Sequence, residues 1–232
     1  MQTIEIRYCF RLPDHSMREI ALHLEPEHIQ LTGHLPDQLP DWTRLDFEQC
    51  THCPLTVDKV PHCPFAASLV GVIDISREVL SHDEVEVTVI TAERAIRNRT
   101  TAQRGISAVM GLISATSGCP HTRFLKPMAR YHLPFATEEE TLYRAASMYL
   151  LAQYFRRLHG GNADLDLDGL AEFYRNLQAV NQSMMQRIRS ASQKDAAANA
   201  LVLLDLFAKA MPYSIEDSLE EVRYLFSAYL TE

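Results

Sequence analysis

The sequence predicts an α+β protein in which a small N-terminal antiparallel β-sheet packs on a C-terminal α-helical bundle. Two observations predict it. In "MQTIEIRYCF" and again in "EVEVTVI" apolar residues alternate with polar ones, the period of strands with one buried face. From Thr101 onward the period changes: Ile106, Val109, Met110 and Ile113 fall at i, i+3, i+4 and i+7, one face of a helix. Residues 1–232 are expected to form one unit, mainly β over 1–100 with a cysteine-bearing insertion at 48–66, and mainly α-helical over 101–232.

Taken in order, Ile4, Ile6, Tyr8 and Phe10 give a first strand. Pro13 and Asp14 supply a turn, and Ile20, Leu22 and Leu24 give the returning strand, so residues 3–24 read as a hairpin. On this pattern Cys9 faces away from the apolar side and is a stray strand thiol. Residues 25–47, with Pro26, Gly33, Pro36 and Pro40, read as mostly irregular, ending in an apolar approach through Trp42, Leu45 and Phe47. A second hairpin runs through Val85, Val87 and Val89, turns near Thr91 to Arg94 and returns through Thr100.

In the helical half, Gly118 is placed to end the first helix in a left-handed cap. Thr137 and Glu140 form a T-x-x-E capping box for a helix that runs to His159 and stops at Gly160 and Gly161. A further helix spans 168–189 with Leu170, Phe173, Tyr174, Leu177, Val180, Met184 and Ile188 on one side. Ser192 with Asp195 and Ser214 with Asp217 are expected to open two more helices, separated by Pro212. The alanines of "DAAANA" suit close helix packing. The helical half also offers Asn181, Asp195, Asn199 and Asp205, of which Asn199 and Asp205 lie among apolar and small residues; capping, bridging helices or lining a pocket all fit them, and a packing role is the expectation.

Composition narrows the function classes. At 232 residues with 47% hydrophobic composition, the chain can build a sizeable core without disulfides or a metal. No apolar run reaches the roughly eighteen residues of a membrane span, and the first twenty residues alternate instead of forming a leader. A cytoplasmic protein without a membrane segment is expected, and five cysteines, odd in number, suit a reducing compartment. The formal net charge of −8 argues against nucleic-acid binding. Residues 94–130 depart from it: Arg94, Arg97, Arg99, Arg104, Arg123, Lys126 and Arg130 face few acids nearby, and either a solvated surface or a docking site for a protein or small anionic partner fits them.

The stretch "EQCTHCPLTVDKVPHCPFA" carries Cys50, Cys53 and Cys63, and "SGCPHTRF" adds Cys119. Buried cysteine can serve as a small hydrophobe. That reading leaves unexplained a C-x-x-C pair and three Cys-Pro steps, at Cys53, Cys63 and Cys119. Proline stiffens the chain beside a ligand, and a C-x-x-C turn lets two sulfurs reach one metal. Cys50, Cys53, Cys63 and Cys119 are therefore the expected metal ligands, with His62 and His121 as additional or replacement donors in a Cys3His site. His52, inside the C-x-x-C, is expected to point outward. Zinc in a structural or regulatory role is the first expectation, because four thiolates complete its tetrahedron. An iron–sulfur protein or enzyme with a [4Fe-4S] cluster on the same cysteines is the alternative, since Cys-Pro also follows cluster ligands. A metal-free C-x-x-C dithiol redox protein is the third reading.

Other chemistries lack support. Pro54 stands where a covalent haem motif needs histidine, and a Cys119 nucleophile with His121 or His132 as base has no oxyanion motif beside it. No G-x-x-x-x-G-K-[ST], G-x-G-x-x-G or G-x-S-x-G occurs. The segments "DWTRLDFEQCTHCPL", "HCPFA", "SGCPHTRFLKPMARYHLPFATEEETLYRAASMYLLAQYF" and "NALVLLDLFAKAMP" together resemble an uncharacterised bacterial protein family of unknown function. That resemblance, carried by C-x-x-C-P-L, H-C-P and S-G-C-P-H motifs over nearly the whole chain, implies one unit that includes all four cysteines. It implies no activity.

Overall fold

A computed structural model describes residues 3–33, 35–191, 194–215 and 219–230. Five antiparallel strands form one sheet in the order β3-β2-β1-β4-β5, from β1 (Ile4–Arg11), β2 (Met17–Glu25), β3 (Gln30–Thr32), β4 (Glu84–Ile90) and β5 (Ala95–Thr101). Both expected hairpins are present. β1 pairs with β2 with Tyr8 opposite Ile20, and β4 pairs with β5 with Val87 opposite Asn98. At the first turn the Asp14 carboxylate accepts from the Ser16 amide at 2.9 Å, and His15 takes a left-handed φ of 67°. The three residues of β3 lie in a stretch expected to be irregular. They are too few to declare a period, and pairing with β2 makes them a strand.

The sheet has one dry face. Ile6, Tyr8, Phe10, Leu22, Leu24, Val85, Val87 and Val89 are buried on it, while the other carries Glu5, Arg7, Glu19 and Arg97. Cys9 lies on that polar face, its thiol 3.7 Å from Glu19, apart from the other cysteines. Helix α3 (Ala102–Thr116) presses on the dry face at Gly105. A Cβ there would come within 2.9 Å of the Phe10 ring and 3.0 Å of Val87, so this contact needs glycine.

Between the hairpins the chain forms α1 (Pro64–Ser68) and α2 (Val70–Ser76), two short helices that periodicity did not predict because "FAASLVGVI" is apolar on all sides. After α3, Gly118 adopts φ 93°, the expected left-handed cap. A short α4 (Lys126–Arg130) precedes α5 (Glu138–Leu158), whose expected capping box is complete: the Glu140 amide donates to Thr137 Oγ1 at 3.1 Å and the Thr137 amide to Glu140 at 2.7 Å. Then follow α6 (Asp168–Ala191), α7 (Ala196–Tyr213), a 3-10 helix over Leu219–Phe226 and α8 (Ser227–Leu230). α7 packs on both α6 and α3, and Ala196, Ala197 and Ala200 are fully buried at its start, the close approach that small side chains permit.

Two expected helix boundaries are corrected. Pro212 does not separate helices; it is buried in the last turn of α7. Its missing N–H would leave the Ala208 carbonyl unpaired, and Gln178 of α6 donates to that carbonyl at 3.1 Å instead. Ser214 caps the C-terminal end of α7 and lies in a π-helical turn with Ile215, while its partner Asp217 lies outside the described residues, as does Ser192. Asp195 precedes α7 without capping it. Its carboxylate accepts from the amide and hydroxyl of Ser81, at 3.0 and 2.8 Å, tying the helical half to the loop before β4. No helix among the described residues is long and apolar enough to cross a membrane.

Candidate metal centre

The cysteine region is held by a buried cation. Arg187 of α6 is 2% exposed, and its guanidinium donates to the backbone carbonyls of Trp42, Arg44 and Leu45 at 2.6–3.0 Å. These carbonyls belong to the loop that precedes Cys50. The loop in turn grips the segment before α1: the Cys63 amide donates to the Thr43 carbonyl at 2.7 Å and the Leu45 amide to the Pro61 carbonyl at 2.9 Å. A charged donor serving three carbonyls satisfies backbone that irregular structure would otherwise leave unpaired in the interior.

On this frame Cys50 and Cys53 sit in one tight turn, closed by the Cys53 amide on the Cys50 carbonyl at 3.0 Å. Cys63 precedes α1, with Pro64 as the first helical residue. Cys119 follows the glycine cap of α3 and is buried. Cys50 lies within electrostatic reach of Cys63 and Cys53, and Cys119 within reach of Cys63 and Cys50. The fold thus brings the four predicted ligands, which span 70 residues of sequence, into one neighbourhood. All are free thiols.

Their spacing is open. Among the described residues, the sole group of three or more potential ligand atoms all within 4.8 Å of one another is Glu25, Glu27 and His28. That exposed group is a turn device, in which Glu25 accepts the amides of Glu27 and His28, each at 2.7 Å. The thiols are therefore looser than the edges of about 3.8 Å that a zinc tetrahedron with Zn–S bonds near 2.3 Å would impose.

Donors already point at two of the sulfurs. The Ser183 side chain of α6 lies by Cys50 and the His121 amide by Cys119, each lowering its neighbour's pKa, while the Thr122 hydroxyl donates to the Ser114 carbonyl. Burial nonetheless dominates, raising the Cys50 thiol above its ordinary range and pushing Cys119 up to about 11. Thiols so held are weak nucleophiles, and thiolates there would need a cation bound beside them to be stable.

The histidines are partly committed. His62 Nδ1 is 2.8 Å from Thr43 Oγ1, and His121 Nε2 is 2.9 Å from the His52 carbonyl. The His52 and His121 rings lie 3.9 Å apart, and His52 Nε2 is buried with no hydrogen-bond partner. Burial, then His121, lowers the His52 pKa. Sequence reasoning turned His52 outward; the structure buries its edge. The basic segment divides: Arg97 and Arg99 reach Glu86 across the sheet, Lys126 donates to the His28 carbonyl at 2.7 Å, and Arg130 stacks on Tyr131.

Residues 6–227 match the model of a family described as a domain of unknown function, DUF6901, and the chain belongs to that family. No curated protein and no solved structure matches it.

Proposed function

We propose that this member of the family is a metalloprotein whose Cys50, Cys53, Cys63 and Cys119 bind one thiolate-ligated centre. The observation that carries the reading is the convergence of four cysteines from three separate segments beside α6. Zinc and a [4Fe-4S] cluster both take four thiolates. The open spacing favours the cluster, whose irons each take one thiolate and so hold their ligands farther apart than one zinc ion does. With every ligand position filled by protein, the centre is structural or passes electrons and leaves no open site for substrate. The dithiol reading has less support, because the sheet is antiparallel throughout and burial raises Cys50 instead of activating it. A protein or anionic partner at 94–130 remains compatible with an electron-transfer role, through the exposed Arg94 and Arg123.

Anaerobic purification without chelators, followed by metal and sulfide analysis and an absorption spectrum, tests this. The cluster predicts iron with acid-labile sulfide and a brown colour absorbing near 400 nm. Colourless protein with one zinc per chain returns the site to zinc, and metal-free protein ends the proposal. In Cys119→Ser the bound metal is expected to fall by more than half; unchanged stoichiometry removes Cys119 from the site.

A further inference from the structure

A second feature lies on the other side of α3 and α6 and plays no part in thiol chemistry. Helices α3, α4, α5, α6 and α7 and the connector 131–136 line a half-open cavity of about 380 Å³, in the range of small-molecule sites. Its walls are mostly apolar, with Leu112, Met128, Phe135, Leu204 and Phe207 among them. Polar residues interrupt them, two of which have an unpaired side-chain atom. Asn181 Nδ2 and Ser114 Oγ are buried without a hydrogen-bond partner, in residues 2% and 4% exposed, and both residues line this cavity. An unpaired buried donor is a standing cost to the fold, and two set in the wall of one cavity, just behind its surface, point to an acceptor that enters and pairs them.

The charge of the lining says which acceptor. Arg144 and Arg104 line the cavity, and among the described residues no aspartate or glutamate does. Arg144 hydrogen-bonds to the carbonyls of Met128 and Tyr131, at 3.0 and 2.9 Å, so its charge is not spent on a carboxylate there. The remaining basic group, His132, is hydrogen-bonded to the Tyr8 hydroxyl and kept neutral by burial and by Arg144. An apolar chamber with unpaired donors, a net positive lining and Arg104 exposed at its edge is complementary to a molecule with an apolar body and an anionic head.

We propose that this cavity binds a small amphipathic monocarboxylate, its body against the apolar walls and its carboxylate drawn to Asn181, Ser114 and Arg144. Such a site is independent of the metal and stands if the cysteines bind none.

Calorimetric titration of the full chain with octanoate and with octan-1-ol, matched in apolar body, tests it. Octanoate is expected to bind at one per chain and at least tenfold more tightly than the alcohol. Asn181→Leu removes one donor at similar volume; it is expected to weaken octanoate about tenfold, or about 1.4 kcal/mol, and to leave octanol within twofold. Because it also removes an unpaired buried group, it should melt at the same temperature as the parent or higher. If that variant does not fold, Ser114→Ala serves the same comparison. Ala108→Trp, which fills the chamber from α3, is expected to abolish both ligands. Equal affinity for acid and alcohol, absence of saturable binding, or octanoate binding untouched by Ala108→Trp overturns the proposal.

Discussion

The cysteine region and the apolar cavity share α3 and α6 and are built in opposite ways. The cysteines come from turns and helix ends, and their surroundings are organised by backbone hydrogen bonds that converge on Arg187. The cavity is made from helix faces, with side chains as its walls and two unpaired polar atoms buried in those walls. α6 serves both: Asn181 is part of the cavity wall, while Ser183 and Arg187 serve the cysteine region. A loop-built site survives only if its backbone is satisfied, whereas a helix-built one satisfies its backbone internally and can leave side chains waiting for a ligand.

Removing the cation at the centre of the loop network is the strongest way to break this comparison. Arg187→Met keeps much of the volume but strips three carbonyls of a charged donor. Bonds to charged groups contribute about 1.5–3 kcal/mol each and are not additive, so a net loss of about 3–5 kcal/mol is expected in urea unfolding. Metal retention should fall with it. In the fraction that remains folded, octanol binding should persist, because no cavity wall depends on the Trp42 to Leu45 carbonyls. Loss of both together would mean that the two regions are one cooperative unit.

The cavity side should instead be the acid-sensitive one. Burial, with Arg144 beside it, holds His132 down to about 3, against an unfolded value near 6.5. A depressed folded pKa means that the neutral ring's contribution is fully present above about pH 6.5. It is lost as pH falls toward 3, because the unfolded chain takes up the proton first. Since His132 is only partly buried by surface area, the slope expected is about 1 kcal/mol per pH unit, below the limiting 1.4. Urea unfolding at pH 7, 6, 5 and 4 for the parent and His132→Gln checks this: the difference between them should narrow across the window. A constant difference would show that His132 titrates normally.

The same contrast decides what the sequence disclosed. The convergence of Cys50, Cys53, Cys63 and Cys119 was legible because turn-borne cysteines leave a spacing and a Cys-Pro signature. The strands and long helices were legible because each buries one face, and the capping box at Thr137 because its chemistry is local. The cavity left no such trace. Asn181 stood out as a polar residue on an apolar helix face, but a helix bridge and a waiting donor look alike until the opposite wall is known. Arg187 was hidden among the basic residues at the end of α6, and its role exists only once the 42–45 loop folds beneath it. Pro212 misled for a related reason. Its local cost is real, and a tertiary bond from Gln178 removes it.

The smallest expected effect tests where the cavity's order comes from. α5 begins immediately after the connector 131–136, and its capping box fixes the chain's entry into the helix that carries Arg144. Thr137→Ala removes the acceptor for the Glu140 amide and should cost about 1 kcal/mol in urea unfolding. Arg144 remains fastened from its own side by the Met128 and Tyr131 carbonyls, so octanoate affinity should stay within twofold. A larger loss of affinity at this modest cost in stability would place the control of the cavity in the cap of α5 and not in the packing of α3 against α7.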